Sequence, residues 1–215
     1  MGEGAPKSTL RRCPSRRTER GSATCTRLRV LAAELFLERG YDGVSLDEIV
    51  RAAGGSKTNV YGFFGGKEGL LLAVAEDVCR DLVAPIEAVE LDGLSLEAGL
   101  TRLGEVLLEV LLAPRHLAFF RLVIGEGRRF PVLGRIWHEN GPEVSRAVVT
   151  AFLERHRDDP RLARGLDVPA LASVFHDLIA GELLYRAWVG CPVAPAERAR
   201  AVARAVAVVV PPAPG

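Results

Sequence analysis

The chain has 215 residues, 48% hydrophobic and 26% charged, with a formal net charge of +1. That is enough length and apolar content for one large or two small globular domains, and it excludes a chain disordered throughout. The densest apolar run, Val206 to Val210, is far too short to span a bilayer.

The near-zero net charge hides an asymmetry. Residues 1–30 carry eight Lys/Arg against two acids, whereas residues 31–80 carry five against eight. Residues 1–22, rich in Arg, Ser, Gly and Pro, read as a disordered basic arm, either an extension that tracks phosphates or enters a minor groove or a solubilising tail. No apolar signal region follows this basic start, so a cytoplasmic location with no membrane partner is expected.

The first helix is marked by Leu28, Leu31, Leu35 and Phe36 on one face, and Gly40 stops it. After the turn signal Asp42-Gly43, Ser45 with Glu48 forms a capping box, so a second helix starts at Leu46 and buries Ile49, Val50 and Ala53. Gly54-Gly55 breaks it. Ser56 is the N-cap of a short third helix from Lys57 to about Phe63, which Gly65-Gly66 closes. A fourth helix opens at Lys67-Glu68 and runs through Leu70, Leu71, Val74 and Val78.

Helices two and three, joined by a glycine-containing turn of about four residues, form a helix-turn-helix. The third is too small and too polar to exist for packing alone. Its N-terminal residues are placed to reach base edges, with Lys57, Thr58, Asn59 and Gly62 outward and Val60 and Phe64 as anchors. The segment is itself slightly acidic, so the arm is expected to supply much of the attraction to DNA.

Residues 26–78 resemble the DNA-binding domain of the TetR family of bacterial transcriptional regulators. The matching residues are Ala52-Ala53-Gly54, Ser56-Lys57, Val60-Tyr61, Phe64, and Lys67-Glu68 with Leu70. The resemblance implies DNA contacts from Thr26, Ser45, Ser56, Lys57, Thr58, Asn59, Tyr61, Gly62 and Lys67, with Tyr61 and Lys67 on phosphates. Two residues depart from the family pattern: Gly55 replaces a branched apolar residue, and Phe63 stands where His or Tyr is usual and cannot donate to a phosphate. Gly62 leaves bare a position that usually carries a side chain.

The rest of the chain reads as helical throughout, with no strand pattern and no internal repeat. A fifth helix starts at Ser95, a sixth covers about Arg115 to Gly127, and a seventh begins at Pro131 with an interruption at Gly141-Pro142. An eighth covers Pro169 to about Val189 and a ninth Pro195 to Val210. The expected fold is all-α, about nine helices: a three-helix DNA-binding domain (23–80), then a helical bundle (81–210), to which the family resemblance assigns ligand binding and dimerisation, with a tail at 211–215. The stretch Phe119 to Pro131, with Gly141-Pro142, resembles the C-terminal domain of the AefR-like subgroup of the same family. That resemblance implies a homodimer and a small-molecule effector.

One face of the eighth helix holds Leu171, Phe175, Leu178 and Ile179, and the ninth holds Val202 and Val206. With the family resemblance these are the expected dimer interface. Ligand-site candidates are the aromatic and imidazole groups Phe119, Phe120, Trp137, His138, His176 and Tyr185, with His116 and Trp188 beside them. An apolar effector is expected, because no charge cluster is visible next to these aromatics.

Cys13, Cys25, Cys79 and Cys191 are too scattered for a zinc or CxxC motif, and no cofactor or metal is called for. There is no phosphate loop, HExxH or GxSxG, and the Glu105–Glu109 spacing lacks the Glu-x-x-His partners of a di-metal bundle, so no catalytic residue is assigned. The functional expectation is a repressor that binds a palindromic double-stranded DNA operator and leaves it when a small molecule binds. The alternative is a regulator of the same type with another cue: thiol oxidation, a protein partner, or a ligand that activates.

Overall fold

The computed structural model describes residues 19–165 and 167–211. Among them are ten α-helices and no strand. They divide into two compact units, the first taking the residues up to Val78 together with Leu122–Ile136, the second taking Cys79–Arg121 and the residues from Trp137 on.

The first unit opens with α1 (Glu19–Arg39). Its first turn includes Glu19–Ser22, which their polarity had assigned to the arm; polar residues of this kind are tolerated in a helix that an apolar stripe holds further on. The remainder of the arm, residues 1–18, lies outside the described residues, as do tail residues 212–215. Leu28, Ala32 and Phe36 form the buried stripe of α1.

The second helix, α2 (Leu46–Ala53), is capped by Ser45, whose hydroxyl accepts the Glu48 N–H at 3.2 Å. The Glu48 carboxylate goes to Arg39 at 2.6 Å rather than completing a capping box. Gly54, at φ 64°, ends α2 in the left-handed conformation that glycine adopts without strain. Next, α3 (Lys57–Phe64) starts at Ser56, which accepts the Asn59 N–H at 3.2 Å. It is followed by α4 (Lys67–Glu87), which crosses from the first unit into the second. Packing among α1, α2 and α3 completes the helix-turn-helix head.

Leu122–Ile136 also belongs to the head, although it lies well past the expected boundary at residue 80. It contains the end of α6 (Pro114–Glu126) and the start of α7 (Pro131–Asn140). Phe130 sets its ring edge-on to Tyr41 at 4.8 Å, and Arg129 donates to both Asp42 carboxylate oxygens at 2.8 and 3.0 Å.

The second unit is built on α5 (Leu96–Leu111), α8 (Pro142–Arg155), α9 (Val168–Trp188) and α10 (Pro195–Val209). The tenth helix arises because Gly141 and Pro142 separate α7 from α8: Gly141 lies outside helical geometry and Pro142 opens the new helix. In the core, α9 packs against α5, α8 and α10. Gly104 on α5 permits this approach, since a Cβ there would come within 3.1 Å of both Val202 and Ile179.

By length and composition α9 could cross a membrane. Leu171, Phe175 and Ile179 instead sit in the core of the second unit. Five of the six expected dimer residues, Leu171, Phe175, Ile179, Val202 and Val206, are buried inside the chain in this way, and only Leu178 is partly exposed. The physical reason is that α9 is apolar on all sides, so its sequence does not say which stripe faces inward.

Candidate nucleic-acid interface and ligand cavity

In the head, Val60 and Phe64 are buried and fix α3, leaving Lys57, Thr58, Tyr61 and Gly62 exposed and Asn59 half-buried. This spacing is what a helix needs to hold one face on a scaffold and offer the other to a groove. Tyr61 is 58% exposed and lies over Gly66. Phe63 is half-buried and meets Phe64 edge-on at 6.0 Å. Thr26 is exposed on α1.

Several expected DNA-facing groups also have partners within the head. Ser45 and Ser56 accept the cap hydrogen bonds described above. Lys57 reaches Asp47 at 2.8 Å, and that hydrogen bond raises its pKa. Lys67 donates to the Tyr41 carbonyl and lies 4.0 Å from the centre of the Tyr41 ring. Burial there pushes its pKa down.

The second unit contains a cavity of about 200 Å³. Its apolar wall includes Leu82, Val83, Ile86, Phe119, Trp137 and Trp188, and its polar groups are His116, His138, Ser145, Arg146, His176 and Asp177. Of the six ligand-site candidates, Phe119, Trp137, His138 and His176 line it. Phe120 stands behind the wall, stacked on Trp188 at 3.8 Å. Tyr185 is 65% exposed and touches Trp188 edge-on at 5.2 Å.

Sequence reasoning missed Arg146 and Asp177. They lie on different helices, 31 residues apart, and meet at 3.1 Å in the cavity wall. The expectation of no charge next to the aromatics is therefore corrected. Asp177 also receives His176 Nδ1 at 3.1 Å, while His116 Nδ1 reaches the Leu111 carbonyl at 2.8 Å. Burial pushes the Asp177 carboxyl up, but the hydrogen bonds from His176 and Arg146 outweigh it and hold its pKa low.

Burial lowers the pKa of both His116 and His176 from the usual 6.5. Unfolding returns these rings to water, so just below that value the unfolded chain binds more protons than the folded one. Their contribution to stability is complete above about pH 6.5 and is lost as the pH falls below it. Thermal unfolding is expected at a lower temperature near pH 5.5 than near pH 7.5. His116→Gln, which keeps a donor for the Leu111 carbonyl but does not titrate, should reduce that difference; an unchanged pH slope would remove His116 from the account.

Cys79 is buried in the cavity wall and Cys191 is exposed. Among the described residues no group of His, Cys, Asp or Glu is placed to hold a metal ion.

Two family models match the chain. The one described as bacterial regulatory proteins, tetR family, covers residues 28–74, and the one described as AefR-like transcriptional repressor, C-terminal domain, covers residues 98–210. An uncharacterized HTH-type transcriptional regulator of Mycobacterium tuberculosis is 26% identical over 161 residues, which is 75% of this chain and 74% of that protein. The regulator RutR of Escherichia coli is 33% identical over 98 residues, 46% of this chain and 44% of its own length. A TetR-family regulator from Mesorhizobium loti superimposes with a TM-score of 0.79 at 28% identity, covering 88% of this chain and 96% of that one. The flavonoid-responsive regulator FrrA gives a TM-score of 0.72 at 28% identity, covering 86% and 94%.

Proposed function

The chain belongs to the TetR family of bacterial transcriptional regulators, with a C-terminal domain of the AefR-like type, and from that premise we propose that it is a cytoplasmic repressor whose homodimer leaves a palindromic operator when a small, largely apolar molecule binds. DNA binding through the helix-turn-helix belongs to the family, whose members are regulators and not enzymes. The observation that supports ligand control is the cavity of the second unit: an apolar, aromatic-walled space with a few polar groups is the ordinary form of a small-molecule site. Both α4 and α6 have one end in each unit.

The dimer reading rests on the outward stripe of α9. Val174, Leu178, Gly181 and Tyr185 follow one another at helical spacing and are partly or fully exposed. A Cβ at Gly181 would meet nothing, so a flat place opens outward there. On α10 the small residues Ala199, Ala203 and Ala207 are likewise exposed. Two-fold symmetry would double the number of bases read by one short recognition helix.

Within the head, roles divide by chemistry. Thr58 and Asn59 read bases and Tyr61 holds a phosphate. Lys67, tied to the Tyr41 carbonyl, acts by positioning the start of α4. Fluorescence anisotropy with the chain's own upstream DNA is the test. Thr58→Ala and Asn59→Ala should change the ranking of operator variants, each by about 1–3 kcal/mol at the affected base pair. Tyr61→Phe should weaken all variants alike. No binding at any salt concentration would sink the proposal, and equal effects of both classes on the ranking would sink the division of roles.

A further inference from the structure

Resting on the reading of the cavity as the effector site, we propose that its ligand is a neutral, flat aromatic compound of two or three rings bearing carbonyl or phenolic oxygens, and not an acyl chain or an organic ion. Size sets the first limit. The cavity of about 200 Å³ exceeds the ~150 Å³ of an apolar cavity that accepts benzene, so a slightly larger ring system fits.

The walls set the second limit. Trp188 is held between Phe120, stacked at 3.8 Å and 13°, and Tyr185, edge-on at 5.2 Å. Trp137 leans on the same Phe120 at 5.0 Å. Both tryptophans therefore present fixed rings, and a rigid flat ligand matches them at less entropic cost than a flexible chain.

Charge excludes ions. Arg146 is already matched by Asp177 at 3.1 Å, and Asp177 takes the His176 Nδ1–H as well. His138, nearer solvent, faces Glu143 at 3.2 Å. Burial keeps the His116 and His176 rings neutral. The wall's charges are thus already paired, at an Arg146–Asp177 contact whose side chains are 30% and 65% exposed, so an ionised ligand would give up hydration without gaining an unmatched counter-charge.

Hydrogen-bonding capacity then calls for oxygen. Among the described residues Arg146 Nε and Trp188 Nε1 are buried N–H donors with no partner, and both residues belong to the cavity wall. A carbonyl or ether oxygen would satisfy them after a small side-chain shift, since both atoms are fully buried. A carbonyl and a carboxylate only accept, so His116 and His176 must each carry the proton on Nδ1, which leaves Nε2 as an acceptor suited to a phenolic O–H. An alkyl chain would satisfy none of these groups.

Calorimetric titration of the full-length chain with chromone, 2-naphthol, 2-naphthoate and decanoate tests this. Both of the chain's tryptophans line the cavity, so their fluorescence reports occupancy. Chromone and 2-naphthol should bind at least about tenfold more tightly than the two anions. Trp188→Phe keeps a ring but lacks the N–H, and Arg146→Lys keeps the charge but lacks Nε; each should weaken chromone about tenfold without lowering the thermal midpoint to the same degree. Tighter binding of 2-naphthoate or decanoate, unchanged chromone affinity in both variants, or binding of none of the four would overturn the ligand class. Operator release, followed in the same titrations, separates the two readings. Release by decanoate or 2-naphthoate keeps the cavity as the effector site and rejects the class; chromone binding that quenches the tryptophans without release keeps the class and rejects the effector site.

Discussion

Gly69→Ala is expected to abolish measurable operator binding and to destabilise the head by an amount near the top of the ~1–3 kcal/mol range for overpacking. A Cβ at Gly69 would lie 1.8 Å from the Phe64 carbonyl oxygen and 2.9 Å from its carbon, where real Cβ atoms stay beyond about 3.0 Å. The obstacle is backbone, so no rotamer change relieves it. Phe64 is the last residue of α3, and Gly69 lies in the first turn of α4. The relief must come from moving the end of the recognition helix, the element that has to fit a groove. Gly62→Ala is the internal control. Nothing lies within 4 Å of its Cβ position, and Gly62 sits mid-helix on the exposed face. There the same substitution should stabilise the head by ~0.5–1 kcal/mol, because alanine loses less backbone entropy in a helix. Thermal unfolding of the two variants is therefore expected to shift in opposite directions, and a Gly69→Ala variant that melts with the native chain would refute the steric account.

The contrast between those two glycines shows what was legible in the sequence. The caps were, because each acts within a few residues: Ser45, Ser56 and Ser95 each accept an N–H three residues on, and Gly54 and Gly65 take positive φ. The exposed face of α3 followed from its two anchors. Gly69 was not singled out, since its constraint comes from the carbonyl of another helix. The same limit applied to α9, where an all-round apolar sequence put Leu171, Phe175 and Ile179 on the wrong side of the core boundary. It applied again to the cavity, whose Arg146–Asp177 pair joins two helices, and whose unpartnered donors are visible only once the wall is assembled. Local chemistry was readable; groups brought together by packing were not.

Residues 122–136 are the strongest case of such packing, and Phe130→Ala is the variant that tests them. Phe130 is 8% exposed and completes a row of rings in which Tyr41 meets Phe36 at 5.8 Å and Phe130 at 4.8 Å. Arg129 covers both Tyr41 and Phe130, at 5.1 and 5.0 Å, and pairs with Asp42. The ion pair is the more conspicuous contact, but its side chains are 53% and 73% exposed, so solvent screening leaves it worth little. Emptying the space of a buried phenylalanine costs about 3–5 kcal/mol. Urea unfolding should accordingly rank Phe130→Ala far below Asp42→Asn in stability, with Phe130→Leu between them. Operator affinity should follow the same order, because Tyr41 also carries the carbonyl that holds Lys67 at the start of α4. If Asp42→Asn proves as damaging as Phe130→Ala, the charged pair and not the ring would be what joins this segment to the head.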